Sequence, residues 1–311
     1  MPRRLIIDTD PGVDDSMAIQ FALRSPELQV EAITSVFGNN SVEITTRNAL
    51  KNLEVAGRPD IPVAPGAGRP LLRPYSGRGS LIHGEDGLGN SHLPPPRLRP
   101  SGRRAAELIV ERVMAAPGEI TILALGPQTN LALVVSLEPS VAQNVREVVF
   151  MGGAATVRGN AAPAAEANIH NDPEAARIVF HAGWPLTMVG LDVTTQVRMN
   201  RSHLERLRKA GMPVGDFLAT IMPHYLDRYR ERYGLNGEMF VHDPSAMIYL
   251  IEPSLFTTQQ VYIDVETRGE ATAGETVPDF RNRWEKPPNV NVCLEVDAQR
   301  LVSLYFERIL G

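Results

Sequence analysis

The order of hydrophobic and polar positions predicts strands and helices that alternate along the chain. Apolar runs predict buried strands at residues 5–10, 30–37, 120–125, 148–151 and 186–189. Apolar residues at helical spacing predict intervening helices at residues 14–24, after Ser41, at 130–137 and at 173–182. This alternation is typical of βαβ units. We therefore predict an α/β fold with a mostly parallel central sheet flanked by helices, in a single domain spanning residues 1–311.

Residues 62–104 interrupt the alternation. They contain Pro94-Pro95-Pro96 together with many glycines and arginines. A segment this long without regular structure is usually functional or disordered. The arginines are interleaved with proline and glycine and do not share one face, which argues against a phosphate or nucleic-acid patch. We predict a solvated surface loop here, and we find no internal repeat and no linker elsewhere.

Composition narrows the class of protein. A chain of 311 residues with 43% hydrophobic residues buries a core without disulfides, and the lone Cys293 excludes an internal disulfide and a cysteine-rich zinc site. The net charge of -5 argues against a nucleic-acid partner. No apolar run approaches the ~18 residues that span a bilayer, and the first apolar run is too short for a signal peptide. We expect a cytoplasmic protein that has no membrane partner.

Four carboxylates stand close together after the first strand: Asp8, Asp10, Asp14 and Asp15. Strand alternation places the first two on one side, and the Pro-Gly turn folds the other two back towards them. Two like charges 4 Å apart repel by about 4 kcal/mol at an effective dielectric of about 20. No lysine or arginine lies within residues 5–23. A bound cation is the simplest compensation, and oxygen ligands favour Ca²⁺ or Mg²⁺ over zinc.

Two other interpretations of this cluster stay open at this point. Asp14 is also a suitable helix N-cap, and Asp15 a first-turn residue that the helix dipole favours. An Asp-x-Asp sequence after the first strand also begins the haloacid-dehalogenase-like phosphatases. That chemistry requires a downstream lysine, a further acidic pair, and a flexible residue where this chain has Pro11.

Five motifs lie where loops follow strands, and together they resemble one family. They are the opening Asp8-Thr9-Asp10-Pro11-Gly12-Val13-Asp14-Asp15, then Gly38-Asn39-Asn40, Leu125-Gly126-Pro127-Gln128-Thr129-Asn130, Met151-Gly152-Gly153 with Ala165-Glu166-Ala167-Asn168, and Val241-His242-Asp243-Pro244. Their order and spacing resemble the Ca²⁺-dependent nucleoside hydrolases of the inosine–uridine-preferring type. The resemblance covers residues 5 to about 250, and the last sixty residues add little to it.

The resemblance implies a Rossmann-like fold and a role for each matched residue. Asp10, Asp15, Asp243 and the backbone carbonyl of Thr129 would bind Ca²⁺, with Asp10 also the general base. His242 would be the general acid for the leaving base. The implied substrate-binding residues are Asp14, Asn39, His83, Met151, Asn160, Glu166, Asn168 and Tyr229. The reaction would be hydrolysis of the N-glycosidic bond of a small-molecule ribonucleoside, by a homodimer or homotetramer.

Several of these residues also have a structural interpretation. Asp243 before Pro244 suits a helix N-cap, with His242 only preceding it. Asp172 before Pro173 has the same pattern, and there we predict only the cap. His83 is either an ordinary loop residue or a neighbour of the base.

A stripe of tyrosines at helical spacing, Tyr225, Tyr229 and Tyr233, also has two readings. Such a stripe faces the core in most proteins, whereas the resemblance suggests that Tyr225 or Tyr229 covers the nucleobase.

Two features depart from the family pattern. Ala167 stands where an aromatic residue usually separates the glutamate and asparagine of its motif, near the ribose 5′ end. The only tryptophans, Trp184 and Trp284, are not beside His83 or Asp243, where purine-specific members carry stacking tryptophans. This argues against strict purine specificity. A non-catalytic Ca²⁺-dependent nucleoside-binding protein and the phosphatase remain the alternative functions.

Overall fold

A computed structural model describes residues 1–77 and 79–311. Within them, twelve strands, thirteen α-helices and one 3-10 helix (Pro253–Leu255) follow one another along the chain. The strands are β1 (Arg3–Thr9), β2 (Leu28–Ser35), β3 (Val63–Pro65), β4 (Ile120–Ala124), β5 (Glu147–Met151), β6 (Leu186–Val189), β7 (Arg198–Asn200), β8 (Glu238–Phe240), β9 (Phe256–Val261), β10 (Ile263–Val265), β11 (Thr276–Pro278) and β12 (Val290–Val296). The helices are α1 (Val13–Leu23), α2 (Val42–Ala56), α3 (Ser80–His83), α4 (Ala105–Ala115), α5 (Thr129–Leu137), α6 (Val141–Asn144), α7 (Ala167–Asn171), α8 (Pro173–Phe180), α9 (Leu191–Thr194), α10 (Arg201–Lys209), α11 (Pro213–Tyr233), α12 (Asp243–Ile251) and α13 (Ala298–Leu310).

Eight strands form the central sheet, in the order β3-β2-β1-β4-β5-β6-β12-β9. Neighbouring strands are parallel except for β9, which pairs antiparallel with β12. The strand order reverses between β1 and β4, as in doubly wound folds, where ligands bind at the carboxyl ends of the strands beside the reversal. The predicted α/β fold with a mostly parallel sheet is therefore confirmed.

Strand alternation divides the core between the two faces of the sheet. In β1, Leu5 and Ile7 belong to one apolar layer, whereas Ile6 belongs to the other. Helices α1, α11, α12 and α13 cover the first face, and α4, α5 and α8 cover the second. All three side chains are fully buried, and each such burial stabilises the fold by about 1.5–3 kcal/mol. Packing on both faces explains why the central strands are continuous apolar runs.

The structure corrects the prediction for residues 62–104. The edge strand β3 pairs with β2, and α3 ends at His83, whose side chain is buried. A three-residue edge strand is held by backbone hydrogen bonds, for example from Ile33 N to the Pro62 carbonyl at 3.0 Å, and it needs no apolar run. The solvated loop is therefore wrong for these two parts. Arg78, one arginine of the stretch, lies outside the described residues.

The last sixty residues, which matched little in sequence, complete the sheet. Strands β9 and β12 extend it beyond β6, and α13 packs on its first face. Strands β10 and β11 form a separate antiparallel pair, as do β7 and β8. Among the described residues, no helix combines the length and the apolar character needed to cross a bilayer.

Candidate active site

A cavity of about 520 Å³ opens at the carboxyl ends of β1 and β4, where the strand order reverses. Its walls come from the first turn of α1, from α3, from the segment between β5 and α7, from α11 and from the start of α12. Of the thirteen site residues that the resemblance implies, ten line it: Asp14, Asn39, His83, Met151, Asn160, Glu166, Asn168, Tyr229, His242 and Asp243. The other three, Asp10, Asp15 and Thr129, are not among its lining residues. Residues far apart in sequence therefore meet where the fold predicts a ligand site.

Three carboxylates converge at the floor of this cavity, where Asp14 and Asp243 line it and Asp15 lies behind them. Asp14 and Asp15 lie in the first turn of α1, and Asp243 is the first residue of α12. One oxygen of each lies within 4.8 Å of the others, and all three residues are buried. Asp15 and Asp243 are 228 positions apart in sequence, and the packing of α1 against α12 brings them together.

Asp10 is fixed beside this group by Asn39. The backbone N–H of Asn39 donates to Asp10 Oδ2 at 2.6 Å, and its Nδ2 donates to Asp15 Oδ2 at 2.9 Å. Asp10 Oδ1 and Asp14 Oδ1 are buried and have no hydrogen-bond partner among the described residues. Such orphaned buried oxygens are rare in folded proteins. They mark positions where the carboxylates are available to a ligand.

Burial and mutual repulsion oppose ionisation of these groups. Burial, followed by the charge of Asp15, raises the pKa of Asp10 well above its ordinary value. Burial raises the pKa of Asp14 to about 6. The pKa of Asp243 is also strongly raised, by burial and then by the charges of Asp14, Asp15 and Asp10. A divalent cation among them would relieve this repulsion, and a donor set made only of oxygens fits a hard ion.

Asp8 does not join the cluster, contrary to the expectation from strand alternation. Its Oδ1 accepts hydrogen bonds from Thr34 Oγ1 at 2.5 Å and from Asn130 Nδ2 at 2.7 Å. Asp8 pairs with Thr34 in β2 and with Ala124 in β4, so it belongs to the hydrogen-bonded part of the sheet and not to the loop beyond it. Asp10 follows β1 and lies in the loop region beyond the sheet. Of the four carboxylates predicted to cluster after the first strand, three therefore do so: Asp10, Asp14 and Asp15. Asp243 joins them from α12.

Both interpretations of Asp15 prove compatible. Gly12 occupies the N-cap position of α1, and its backbone N–H donates to Asp15 Oδ2 at 2.9 Å. Thr9 Oγ1 donates to the other oxygen at 2.5 Å. Asp15 therefore both stabilises the first turn of α1 and belongs to the acidic group. Asp14 is not the N-cap, and its carboxylate faces the cavity.

The two Asp-Pro sequences differ in the structure. Asp172 caps α8, because its Oδ1 accepts from Ala175 N at 3.1 Å, which confirms the prediction. Its Oδ2 also accepts from Thr129 Oγ1 at 2.7 Å and so anchors the first residue of α5. In α12 the N-cap position belongs to His242, and Asp243 is already helical. The alternative of Asp243 as an N-cap is therefore wrong.

The wall built from Glu166 and Asn168 is held by its own backbone. Glu166 caps α7 and accepts hydrogen bonds from the N–H groups of Gly153, Asn168 and Ile169. Burial nevertheless raises the pKa of Glu166 to about 7. Asn168 Nδ2 donates to the carbonyl oxygens of Leu125 at 2.7 Å and of Met151 at 3.0 Å. These bonds fix both side chains before any ligand binds.

A chain of hydrogen bonds crosses the opposite wall. Thr194 Oγ1 lies 2.7 Å from His242 Nδ1, and His242 Nε2 lies 2.9 Å from the Tyr229 hydroxyl. That hydroxyl lies 3.0 Å from the hydroxyl of Tyr225. Tyr225 and Tyr229 are buried and line the cavity, so the tyrosine stripe is both core and site. Sequence analysis offered no signal for Thr194, a threonine in a four-residue helix.

Burial alters the acid–base properties of this wall. It lowers the pKa of His242, which the resemblance implies is the general acid, to about 3, so the imidazole is neutral at neutral pH. Burial raises the pKa of Tyr225 and Tyr229 well above 10, so both hydroxyls keep their protons.

His83 lies at the same wall. Its Nδ1 accepts from Val13 N at 3.1 Å, its ring centroid lies 5.2 Å from that of Tyr225, and burial lowers its pKa to about 4.

Fold and site together define an α/β protein with a polar cavity and an acidic cluster able to hold a metal ion at the reversal of its sheet. The chain belongs to the inosine-uridine preferring nucleoside hydrolase family, whose model matches residues 5–303. The resemblance noted in the sequence is thus confirmed, and the chain is an N-glycosidase that acts on a nucleoside. Family membership sets aside the phosphatase and the non-catalytic binding protein.

Individual relatives agree over the whole chain. "Probable uridine nucleosidase 2" of Arabidopsis thaliana is 43% identical over 99% of this chain and 98% of the relative. The pyrimidine-specific ribonucleoside hydrolase RihA of Salmonella gallinarum is 42% identical over 98% of this chain and 97% of the relative. The solved plant nucleoside hydrolase PpNRh1 is 40% identical, with a TM-score of 0.96 and full coverage of both chains.

Glycines that pack against Asp10 provide a test of how tightly this carboxylate is placed. A Cβ at Gly126 would lie 2.7 Å from Asp10 Oδ1, whereas a Cβ at Gly102 would meet nothing within 4 Å. Neither glycine has a positive φ. Because displacement by about 1 Å costs up to 100-fold in rate, we expect Gly126→Ala to lower kcat/KM by about 10- to 100-fold and Gly102→Ala to leave it unchanged. Steady-state kinetics measure both, and equal activity of the two variants would contradict this placement.

Proposed function

We propose that the chain hydrolyses pyrimidine ribonucleosides, with Ca²⁺ as its metal ion, Asp10 as general base, and the wall of His242 and Tyr229 as the proton source for the leaving base. The observation that carries the proposal is the placement of two different chemistries on one cavity. Asp14, which has an unpartnered oxygen, and Asp243 form the floor with Asp10 and Asp15 close by, and neutral hydroxyl and imidazole groups form a wall. Hydrolysis of a nucleoside requires both, since one end of the substrate is a sugar diol and the other a departing base.

The metal ligands proposed are the carboxylates of Asp10, Asp15 and Asp243 and the backbone carbonyl of Thr129. Thr129 is the first residue of α5, directly after the loop that follows β4, and its side chain is hydrogen-bonded to Asp172. Ca²⁺ takes six to eight oxygen ligands in flexible geometry, which suits three carboxylates, one carbonyl and further ligands from substrate and solvent. When bound, the ion would lower the pKa of the attacking water and take up the ribose diol.

Asp10 is the proposed base because its two oxygens differ. Oδ2 is held by the backbone of Asn39, whereas Oδ1 is buried and unpartnered. An oriented carboxylate with one available oxygen accepts a proton from a nearby water without first breaking another hydrogen bond. Asn39 also donates to Asp15, and so it fixes the base relative to a metal ligand.

The acidic floor also serves the transition state. Glycoside hydrolysis passes through an oxocarbenium-like state in which positive charge develops on the sugar ring. Fixed carboxylates such as Asp14 and Glu166, with the amide oxygen of Asn168, stabilise that charge more than they stabilise a neutral substrate. Asp14, Asn39, Asn160, Glu166 and Asn168 are the residues proposed to bind the ribose hydroxyls, and Met151 lines the same wall.

The leaving base needs a hydrogen bond or a proton on the side opposite the floor. Tyr229 and Tyr225 keep their hydroxyl protons, and His242 links Tyr229 to Thr194. As the bond to the sugar breaks, the Tyr229 hydroxyl would give its hydrogen to the departing base and regain one from solvent afterwards, while the proton that the attacking water loses goes to Asp10. His242 and Thr194 would hold that hydroxyl in place. His83 lies against Tyr225 and is proposed to contact the base as well.

The preference for pyrimidines follows from the wall of the cavity and from the relatives. Trp184 is buried in the core behind β6, Trp284 packs on Tyr262, and neither is among the described residues that line the cavity. The cavity therefore offers tyrosine and histidine rings in place of the larger indole for stacking. The relatives that share 42–43% of the sequence carry names that specify uridine or pyrimidine nucleosides. Assembly as a homodimer or homotetramer and a cytoplasmic location stay predictions from the sequence.

A panel of nucleosides tests the substrate. We expect purified protein to release reducing sugar from uridine and cytidine with a kcat/KM at least tenfold above that for inosine, because the cavity lacks a stacking indole. Asp10→Ala, measured in parallel, should abolish turnover through loss of the base. Inosine cleaved faster than uridine would overturn the pyrimidine preference, and near-normal kcat in Asp10→Ala would exclude it as the base.

Removal of the metal tests the acidic floor. Exhaustive chelation should abolish uridine hydrolysis, and added Ca²⁺ should restore it more fully than Mg²⁺, which demands strict octahedral geometry. Because a ligand that binds only the folded state stabilises it by about 2.7 kcal/mol at 100 times its Kd, Ca²⁺ should also raise Tm. Full activity in a verified metal-free sample would contradict the metal site.

Two leaving groups test the proposed proton source. His242→Ala and Tyr229→Phe should slow uridine at least tenfold more than p-nitrophenyl riboside, because nitrophenolate departs without protonation. Tyr233→Phe is the matched control, since Tyr233 packs on Tyr229 and Phe240 at the exposed end of the same stripe. Equal losses on both substrates would show that this wall has only a structural role.

A further inference from the structure

A hydrogen bond between two walls of the cavity links segments that are far apart in sequence. The guanidinium of Arg232 donates from Nη2 to the backbone carbonyl of Asn160 at 2.8 Å, across 72 residues of chain. Both residues line the cavity. Arg232 is exposed and lies at the carboxyl end of α11, two turns beyond Tyr225 and less than one turn beyond Tyr229. The bond therefore joins the hydroxyl-bearing helix to the opposite wall at the mouth.

The segment that Arg232 contacts has few other means of staying in place. Residues 159–165 are held mainly by short backbone bonds within the loop, such as Gly159 N to Pro163 O and Ala161 N to Ala165 O, both at 3.2 Å. Most of their side chains are methyl groups. Gly159 is required because a Cβ there would lie 2.3 Å from the Ala165 carbonyl oxygen. The loop is thus compact, but its own side chains provide little anchorage to the sheet.

Asn160 transmits the position of this loop to the ribose wall. Its Oδ1 accepts from the backbone N–H of Ala167 at 2.9 Å, at the start of α7. Glu166 and Asn168, on either side of Ala167, are among the proposed ribose ligands. A displacement of Asn160 would therefore move its own side chain and loosen the N-terminus of α7. Arg232 acts on all of these from across the cavity through one carbonyl oxygen.

We propose that Arg232 is a positioning residue that holds the 159–165 loop closed against α11 and so prearranges the ribose wall for the substrate. The proposal rests on the proposed function, because it assigns Asn160 and its neighbours to the ribose. Arg232 does not touch the reacting atoms and contributes to the ground state and the transition state alike. Its loss should therefore raise KM and leave kcat nearly unchanged, since an unheld loop must be ordered when substrate binds.

The experiment compares three variants with uridine as substrate. Arg232→Ala should raise KM three- to tenfold with kcat within twofold of the parent protein. Arg232→Lys retains a cationic donor for the carbonyl. The increase in log KM that it causes should be at most half of the increase caused by Arg232→Ala. Arg230→Ala is the matched control, because Arg230 is exposed on the same helix, lies 3.9 Å from Asp227 and does not line the cavity. Its KM should equal that of the parent protein.

Specific outcomes would overturn the proposal. They are an unchanged KM in Arg232→Ala, a fall in kcat without a rise in KM, or an equal effect of Arg230→Ala. Calorimetric titration with ribose and Ca²⁺ separates this proposal from the proposed function, because binding of the sugar does not require turnover. If the parent protein binds ribose and cleaves no pyrimidine nucleoside, the proposed function fails. The positioning role then stands if Arg232→Ala weakens ribose binding three- to tenfold, and falls if it does not.

Discussion

The main constraint on this structure is that four carboxylates lie close together and buried: Asp10, Asp14, Asp15 and Asp243. Each close pair costs about 4 kcal/mol at 4 Å and an effective dielectric of about 20, and burial adds a desolvation cost that raises every one of their pKa values. Backbone and side-chain donors compensate only some of the oxygens. Those left over can be satisfied by a cation, so the buried charge that opposes folding is also what suits this cluster to a metal ion.

The fold separates the two halves of the chemistry by assigning them to different elements. The acidic floor comes from the ends of β1 and the first turns of α1 and α12, which the sheet and its helix layer fix. The neutral wall comes from α11, a long helix that reaches over the cavity. The two groups meet at Asp14, whose Oδ1 lies 3.8 Å from His83 Nδ1. At the mouth, Arg232 joins α11 to the 159–165 loop.

Local patterns were enough for much of the fold, whereas most of the site residues were named by the family resemblance. Apolar runs and helical spacing predicted the parallel sheet, because strands buried on both faces must be apolar throughout. Asp172 was correctly identified as a cap, since Asp-Pro chemistry acts within one helical turn. The predictions that failed concern features decided by contacts between distant segments. Strand β3 is held by backbone pairing that leaves no side-chain signal, and Asp8 is drawn into the sheet by Thr34 and Asn130 from other elements.

By itself the sequence determined the layered α/β architecture, the acidic turn after the first strand and the membership of most site residues in one motif set. It did so because these features depend on neighbours within a few residues along the chain. Only the tertiary structure decided which carboxylates meet, that His242 lies neutral between Tyr229 and Thr194, and that Arg232 reaches Asn160. Distances, burial and pKa values of this kind arise from packing between distant segments, and no local pattern contains them.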